Sequence, residues 1–146
     1  MNTIKLEKIS IFELPLLVRI SYDGDEDLLN KYHIEKFSLE DAVESTMGMI
    51  KETGDTIEMS YFKVVLGDEP IGYLAIFQNF LYSFGINIKY RTKEVILQYW
   101  ELIKEVLNDG FITMLYPNND RAINFLKKQG MSEVEDIEEG LITLIY

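Results

Sequence analysis

Two apolar runs, Met59-Ser60-Tyr61-Phe62-Lys63-Val64-Val65-Leu66 and Ile71-Gly72-Tyr73-Leu74-Ala75-Ile76-Phe77, flank the turn residues Gly67-Asp68-Glu69-Pro70. β-Branched and aromatic residues in runs of this length, broken by turn formers, predict a β-hairpin. Upstream, Thr3 to Ile9 sets Ile4, Leu6 and Ile9 against Lys5, Glu7 and Lys8, which suits an opening strand with one wet face. Ser10-x-x-Glu13 reads as a capping box ahead of Leu14, Leu17, Val18 and Ile20. Pro15 moves the start of that helix to about Leu14, because proline is tolerated only in a first turn.

Asp23-Gly24-Asp25-Glu26-Asp27 ends this helix as an acidic loop, and Leu28 to Tyr32 reads as a short second helical piece. Ser38-Leu39-Glu40-Asp41 caps a further helix carrying Leu39, Ala42, Val43, Met47 and Ile50, which Gly54 terminates. After the hairpin come a strand over Phe80 to Ile88 and a long helix from about Thr92 to Leu107, with Val95, Ile96, Tyr99, Trp100, Ile103, Val106 and Leu107 as its buried stripe. Gly110 closes that helix. Phe111 to Tyr116 forms a short strand, Asp120 to Gln129 a short helix with Asn119 as N-cap, and Leu141 to Tyr146 a last strand after the acidic segment Glu133 to Glu139.

The 146 residues, 47% hydrophobic and 27% charged, are expected to form one domain over 1-146. The chain has no cysteine, hence no disulfide frame or thiolate site, and suits a reducing compartment, with the cytoplasm as the expected location. No run reaches the roughly 20 apolar residues of a membrane span, and Met1 to Glu7 lacks a signal-peptide layout, so no membrane association is expected. A net charge of −11 argues against nucleic acid as a partner. It also opposes a polyanionic ligand unless local amides and cations prevail.

Metal and nucleophile sites fail on spacing. Asp23, Asp25 and Asp27 begin like a calcium loop, but Leu28 and Ile34 stand where glycine and glutamate are required. His33 is the sole histidine, and neither a Gly-x-Ser-x-Gly elbow nor a Gly-Lys-Ser/Thr phosphate loop occurs.

The order strand, helices, three strands, long helix, strand, short helix, strand resembles the GNAT superfamily of N-acetyltransferases. Ile86-Asn87-Ile88-Lys89-Tyr90-Arg91-Thr92-Lys93-Glu94-Val95-Ile96 sits where that family has a strand followed by its pyrophosphate loop. Asn119-Asp120-Arg121-Ala122-Ile123-Asn124-Phe125-Leu126-Lys127-Lys128-Gln129-Gly130-Met131 resembles its last helix. The resemblance implies an α/β (α+β) fold, with a mixed, mostly antiparallel central sheet flanked by helices. It also implies an acetyl-CoA site over Ile86, Ile88, Arg91, Thr92, Lys93 and Asn119.

The chain departs from the family where phosphate should sit. Arg91 fits the first position of the loop pattern, but Glu94 and Ile96 replace its two small residues, adding charge repulsion of about 1–4 kcal/mol and bulk. An acidic residue in a first turn also steadies a bare helix N-terminus by about 0.3–1 kcal/mol, which is the plainer reading of Glu94. Leu126 stands where the family often has a proton-donating tyrosine, and Phe80 to Ile88 holds no carboxylate base. Tyr82, Ser83 and Tyr116 carry hydroxyls that could contribute, although an exposed tyrosine on a strand is far more often packing than catalysis.

These departures lead to the expectation of a vestigial site with no catalytic residue and no cofactor. The expected role is a non-catalytic binding or structural protein resembling short phage-encoded ones, virion-associated or host-interacting. The alternative is an active acetyl-CoA-dependent N-acetyltransferase acting on an amine, with Lys93 and Arg91 replacing some of the lost amide contacts. Nine tyrosines and eight phenylalanines suggest a protein partner or a homo-oligomer.

Overall fold

The computed structural model describes residues 3–25, 40, 43–48, 59–135 and 140–146. Strand β1 (Ile4–Ile9) leads through a 3-10 turn (Ile11–Glu13) into helix α1 (Leu14–Tyr22). Ser10 and Glu13 form the expected capping box, and Pro15 lies in the first turn of α1. Residues 43–48 are helical, with Val43 buried and Met47 48% exposed, so Met47 is not a core residue. The expectations for Leu28 to Tyr32, His33, Ser38 and Gly54 lie outside the described residues.

Strands β2 (Met59–Leu66), β3 (Glu69–Phe77) and β4 (Phe80–Ile86) form an antiparallel meander. The first connection is tighter than the four turn residues suggest: Gly67 and Asp68 alone turn the chain, and Pro70 already faces Val65 within β3. Pro70 is tolerated because the ladder slips by one residue beside it, between Val64 and Val65. β4 stops at Ile86, short of the expected Ile88, because Asn87 starts a 3-10 turn (Ile88–Tyr90) and accepts a hydrogen bond from Lys89 N–H at 2.9 Å.

Helix α2 (Lys93–Val106) follows, then β5 (Ile112–Leu115), α3 (Asp120–Lys128), β6 (Ser132–Val134) and β7 (Ile142–Ile145). Strand β6 carries no sequence signal, since Ser132-Glu133-Val134 is too short and too polar to read as a strand. It exists because it pairs with β7 at the sheet edge. The sheet order is β1-β2-β3-β4-β5-β7-β6, antiparallel except for the β4–β5 pair.

Helices pack on both faces. Val95, Tyr99, Trp100 and Ile103 of α2 and Ile123 and Leu126 of α3 bury against Val64, Leu74, Leu81, Ile86 and Leu144. Leu14, Leu17 and Val18 of α1 cover Tyr61, Tyr73 and Ala75 on the opposite face. The alternation Tyr73-Leu74-Ala75-Ile76 thus feeds two cores with successive side chains. Gly72 has no room for a side chain, because a Cβ there would lie 2.2 Å from the Gly85 carbonyl oxygen. No helix among the described residues is long and apolar enough to cross a membrane.

Candidate functional site

β4 and β5 pair only at Phe80↔Ile112 and Leu81↔Thr113. Asn79 fixes where that pairing starts: its Oδ1 accepts from Asn108 N–H at 2.9 Å and its carbonyl accepts from Ile112 N–H at 3.2 Å. The buried Thr113 hydroxyl closes the pairing by donating to the Leu81 carbonyl at 2.9 Å. Beyond it, β4 runs from Tyr82 to Ile86 with no sheet partner on its β5 side. An unpaired strand edge offers a ladder of backbone donors and acceptors to an extended ligand.

A bulge accompanies the divergence. Ala75 faces Ser83 and Ile76 faces Leu81, which leaves Tyr82 as an extra residue in β4. Ordinary alternation would put Leu81 and Ser83 on one face; the extra residue sends Ser83 to the α1 face instead.

The opening is a cleft of about 420 Å³ with walls from both sides of the sheet. Tyr22 of α1, Ser83 and Gly85 line one side, and Tyr99, Trp100 and Ile103 of α2 with Ala122, Phe125 and Leu126 of α3 line the other. Among the described lining residues there is no carboxylate, histidine, lysine or cysteine, and the only full charges are Arg91 and Arg121. Arg91 is ion-paired with Asp25, so among the described lining residues Arg121 is the cation without a carboxylate partner.

A chain of hydroxyls runs along the α1 side. Ser83 Oγ and Tyr73 Oη are 2.6 Å apart, and Tyr73 also shares a hydrogen bond with the Tyr22 side chain. The Tyr99 hydroxyl donates to the Tyr73 backbone carbonyl. Burial pushes the phenols of Tyr73 and Tyr99 above the ordinary tyrosine range, so both remain protonated at neutral pH.

Of the residues singled out from sequence, Ile86, Arg91 and Asn119 line the cleft. Ile88 sits in the 3-10 turn, 41% exposed, and Thr92 and Lys93 are outside the lining. Thr92 caps α2, its Oγ1 accepting from Val95 N–H at 3.2 Å, and Asn119 caps α3, its Oδ1 accepting from Ala122 N–H at 3.4 Å. Arg91 is already engaged: Nε donates to the Ile86 carbonyl at 2.7 Å and Nη1 to Asp25 Oδ2 at 2.6 Å. Glu94 is exposed and does not enter the cleft, whereas Ile96 lines it and packs on the core. Leu126 lines it too, 3% exposed.

Sequence reasoning misses Arg121, Tyr22 and Tyr73. A signal exists for Arg121, because a cation in the first turn of a helix opposes the macrodipole and calls for a reason to be there. Tyr22 and Tyr73 carry no such signal, since they meet only through the packing of α1 on the sheet.

No protein-family model matches the sequence, and no curated protein is similar enough in sequence to match it. Solved structures do match in shape. An acetyltransferase from Thermus thermophilus superposes with a TM-score of 0.77 at 22% identity, covering 100% of this chain and 99% of that one. The GNAT domain of S. lividans PAT gives 0.64 at 10% identity, covering 98% and 89%. The chain has the GNAT fold. The PaiA N-acetyltransferase of Thermoplasma acidophilum, solved in complex with coenzyme A, has a TM-score of 0.57 to this GNAT-fold chain at 19% identity, covering 99% of each.

Proposed function

We propose that this GNAT-fold protein is an acyl-CoA-dependent N-acyltransferase whose donor enters the β4–β5 cleft. The observation that carries the reading is an opening lined from both faces of the sheet. Such an opening lets a donor held on the α2–α3 side meet an acceptor on the α1 side. Acetyl-CoA, when bound, supplies an acyl group activated as a thioester.

The residues present fit that donor. The open edge of β4 suits the amides of a pantetheine arm, and Trp100, Ile103, Phe125 and Leu126 give it apolar walls. Among the described residues Arg121 makes no ion pair, which leaves its charge available for a phosphate. The N-terminal amides of α2 that the Thr92 cap leaves open add to the same field. Glu94 opposes an anion there, but its side chain does not occupy the cleft.

Calorimetric titration with acetyl-CoA, followed by thiol release across a panel of amines, tests the reading. Saturable binding and amine-dependent thiol release are expected. No binding at millimolar acetyl-CoA, with the protein folded, overturns it.

A second reading has its own support. Leu126 offers no proton and no carboxylate lines the cleft among the described residues, which favours a protein that binds an acyl donor without transferring it. Binding without thiol release supports this reading.

A further inference from the structure

We propose that Ser83 is the group that receives the acceptor, a primary amine bound in its neutral form, and that Tyr73 positions it. The inference rests on the transferase reading above and adds the acceptor side of the same site.

Three observations carry it. The Tyr82 bulge turns Ser83 away from the α2 core toward the α1 side, where an acceptor would enter. Ser83 lines the cleft while its hydroxyl is held at 2.6 Å by a phenol only 4% exposed, so its orientation is set from behind. No carboxylate lines the cleft among the described residues, so none of them would pair with a bound ammonium.

The hydroxyl chain supplies the polarity that an amine nucleophile needs. With Ser83 donating to Tyr73, the Ser83 oxygen is left to accept an amine N–H. That bond fixes the amine through a hydrogen and leaves its lone pair free to point at the donor carbonyl. As the new nitrogen–carbon bond forms and the carbon–sulfur bond breaks, the nitrogen becomes more positive and its N–H a stronger donor. The contact therefore strengthens toward the transition state. The proton that the nitrogen loses leaves with the released thiol, so a neutral amine needs no protein base.

The probes are tyramine, and spermidine as a polycation, with acetyl-CoA as donor. Ser83→Ala should raise the tyramine KM or lower kcat, by roughly 10- to 100-fold in kcat/KM, the range for a lost hydrogen bond to a group gaining charge. The affinity for acetyl-CoA should not change. Tyr73→Phe should act in the same direction more weakly, and Ser83→Thr should restore most of the loss. Wild-type rate should rise with pH along the titration of the free amine, and spermidine should be the poorer acceptor.

A readout independent of turnover separates the two proposals. Amide NMR shifts at Ser83 on adding tyramine to the coenzyme A complex are expected in the wild type and not in folded Ser83→Ala. If those shifts appear but no thiol is released, the transferase reading fails and the amine site stands. If Ser83→Ala binds and acylates tyramine like the wild type, or the wild type shows no shift, the amine site is overturned.

Discussion

Arg91 and Asp25 meet at 2.6 Å with their side chains only 17% and 13% exposed, tying the start of α2 to the end of α1 across the mouth of the cleft. The Asn87 side chain reinforces the tie by donating to the carbonyls of Ile20 at 2.8 Å and Asp23 at 3.1 Å. Asp25→Asn strands a largely buried guanidinium and should cost about 3 kcal/mol, the low end for broken buried pairs because both groups keep some solvent. The double variant Asp25→Asn/Arg91→Met should recover part of the loss. Urea unfolding of the wild type, Asp25→Asn, Arg91→Met and the double variant measures this, and additive losses would show that the pair is not coupled. Arg19–Glu40 has the same 2.6 Å separation at 44% and 66% exposure, and breaking it should change little.

Gly72→Ala should be among the most damaging single substitutions, because backbone rather than a movable side chain blocks the new methyl. A cost of about 3 kcal/mol or more is expected, consistent with overpacking against a rigid neighbour. Gly48, helical and with nothing within 4 Å of a built Cβ, provides the contrast. Gly48→Ala should be neutral or stabilising by up to about 1 kcal/mol. Thermal melts of both variants distinguish tight backbone approach from general intolerance of change.

Much of this fold is legible in local sequence. Periodicity and caps locate β1, the hairpin, the α2 stripe and the short helix after Asn119, because each of those signals is contained within one element. Whatever depends on two distant elements is not legible. Ser83 reads as an ordinary strand residue until the bulge is known, although Leu81 and Ile86, both buried yet of opposite parity, hint at a slip between them. Arg91 reads as a phosphate ligand until Asp25 is seen beside it. β6 is invisible because its only cause is β7.

Tyr73 and Tyr99 make the fold sensitive to alkali. Burial raises both phenols in the folded state, whereas the unfolded chain ionises them near the ordinary value of 10.0. Their contribution is therefore complete below that value and is lost as the pH climbs beyond it, by at most about 1.4 kcal/mol per unit for each group. Denaturant unfolding between pH 9 and 11 should show stability falling from about pH 10. The slope should be smaller in Tyr99→Phe. A flat profile through this window would mean that the phenols are hydrated.

Leu126→Tyr asks whether the missing proton donor limits transfer. The new phenol would enter the cleft wall at some cost in packing, about 1–3 kcal/mol. If thiol departure limits turnover, the rate should rise by about tenfold or more, within the usual reach of a positioned acid. Unchanged turnover with a folded protein would place the slow step elsewhere.

The extra residue in β4 has a consequence for how the gene can change. Exchanging the Tyr82 side chain alters one surface position, but deleting it removes one step of the strand. Leu81 and Ser83 would then be neighbours in a regular ladder, so Ser83 to Ile86 would keep both their faces and their partners on β3, and only the bulge would be lost. The frame-preserving loss of Tyr82 should therefore cost the bend of the strand and spare its facing, so what inheritance must protect at this point is curvature, more than which residues lie on which side.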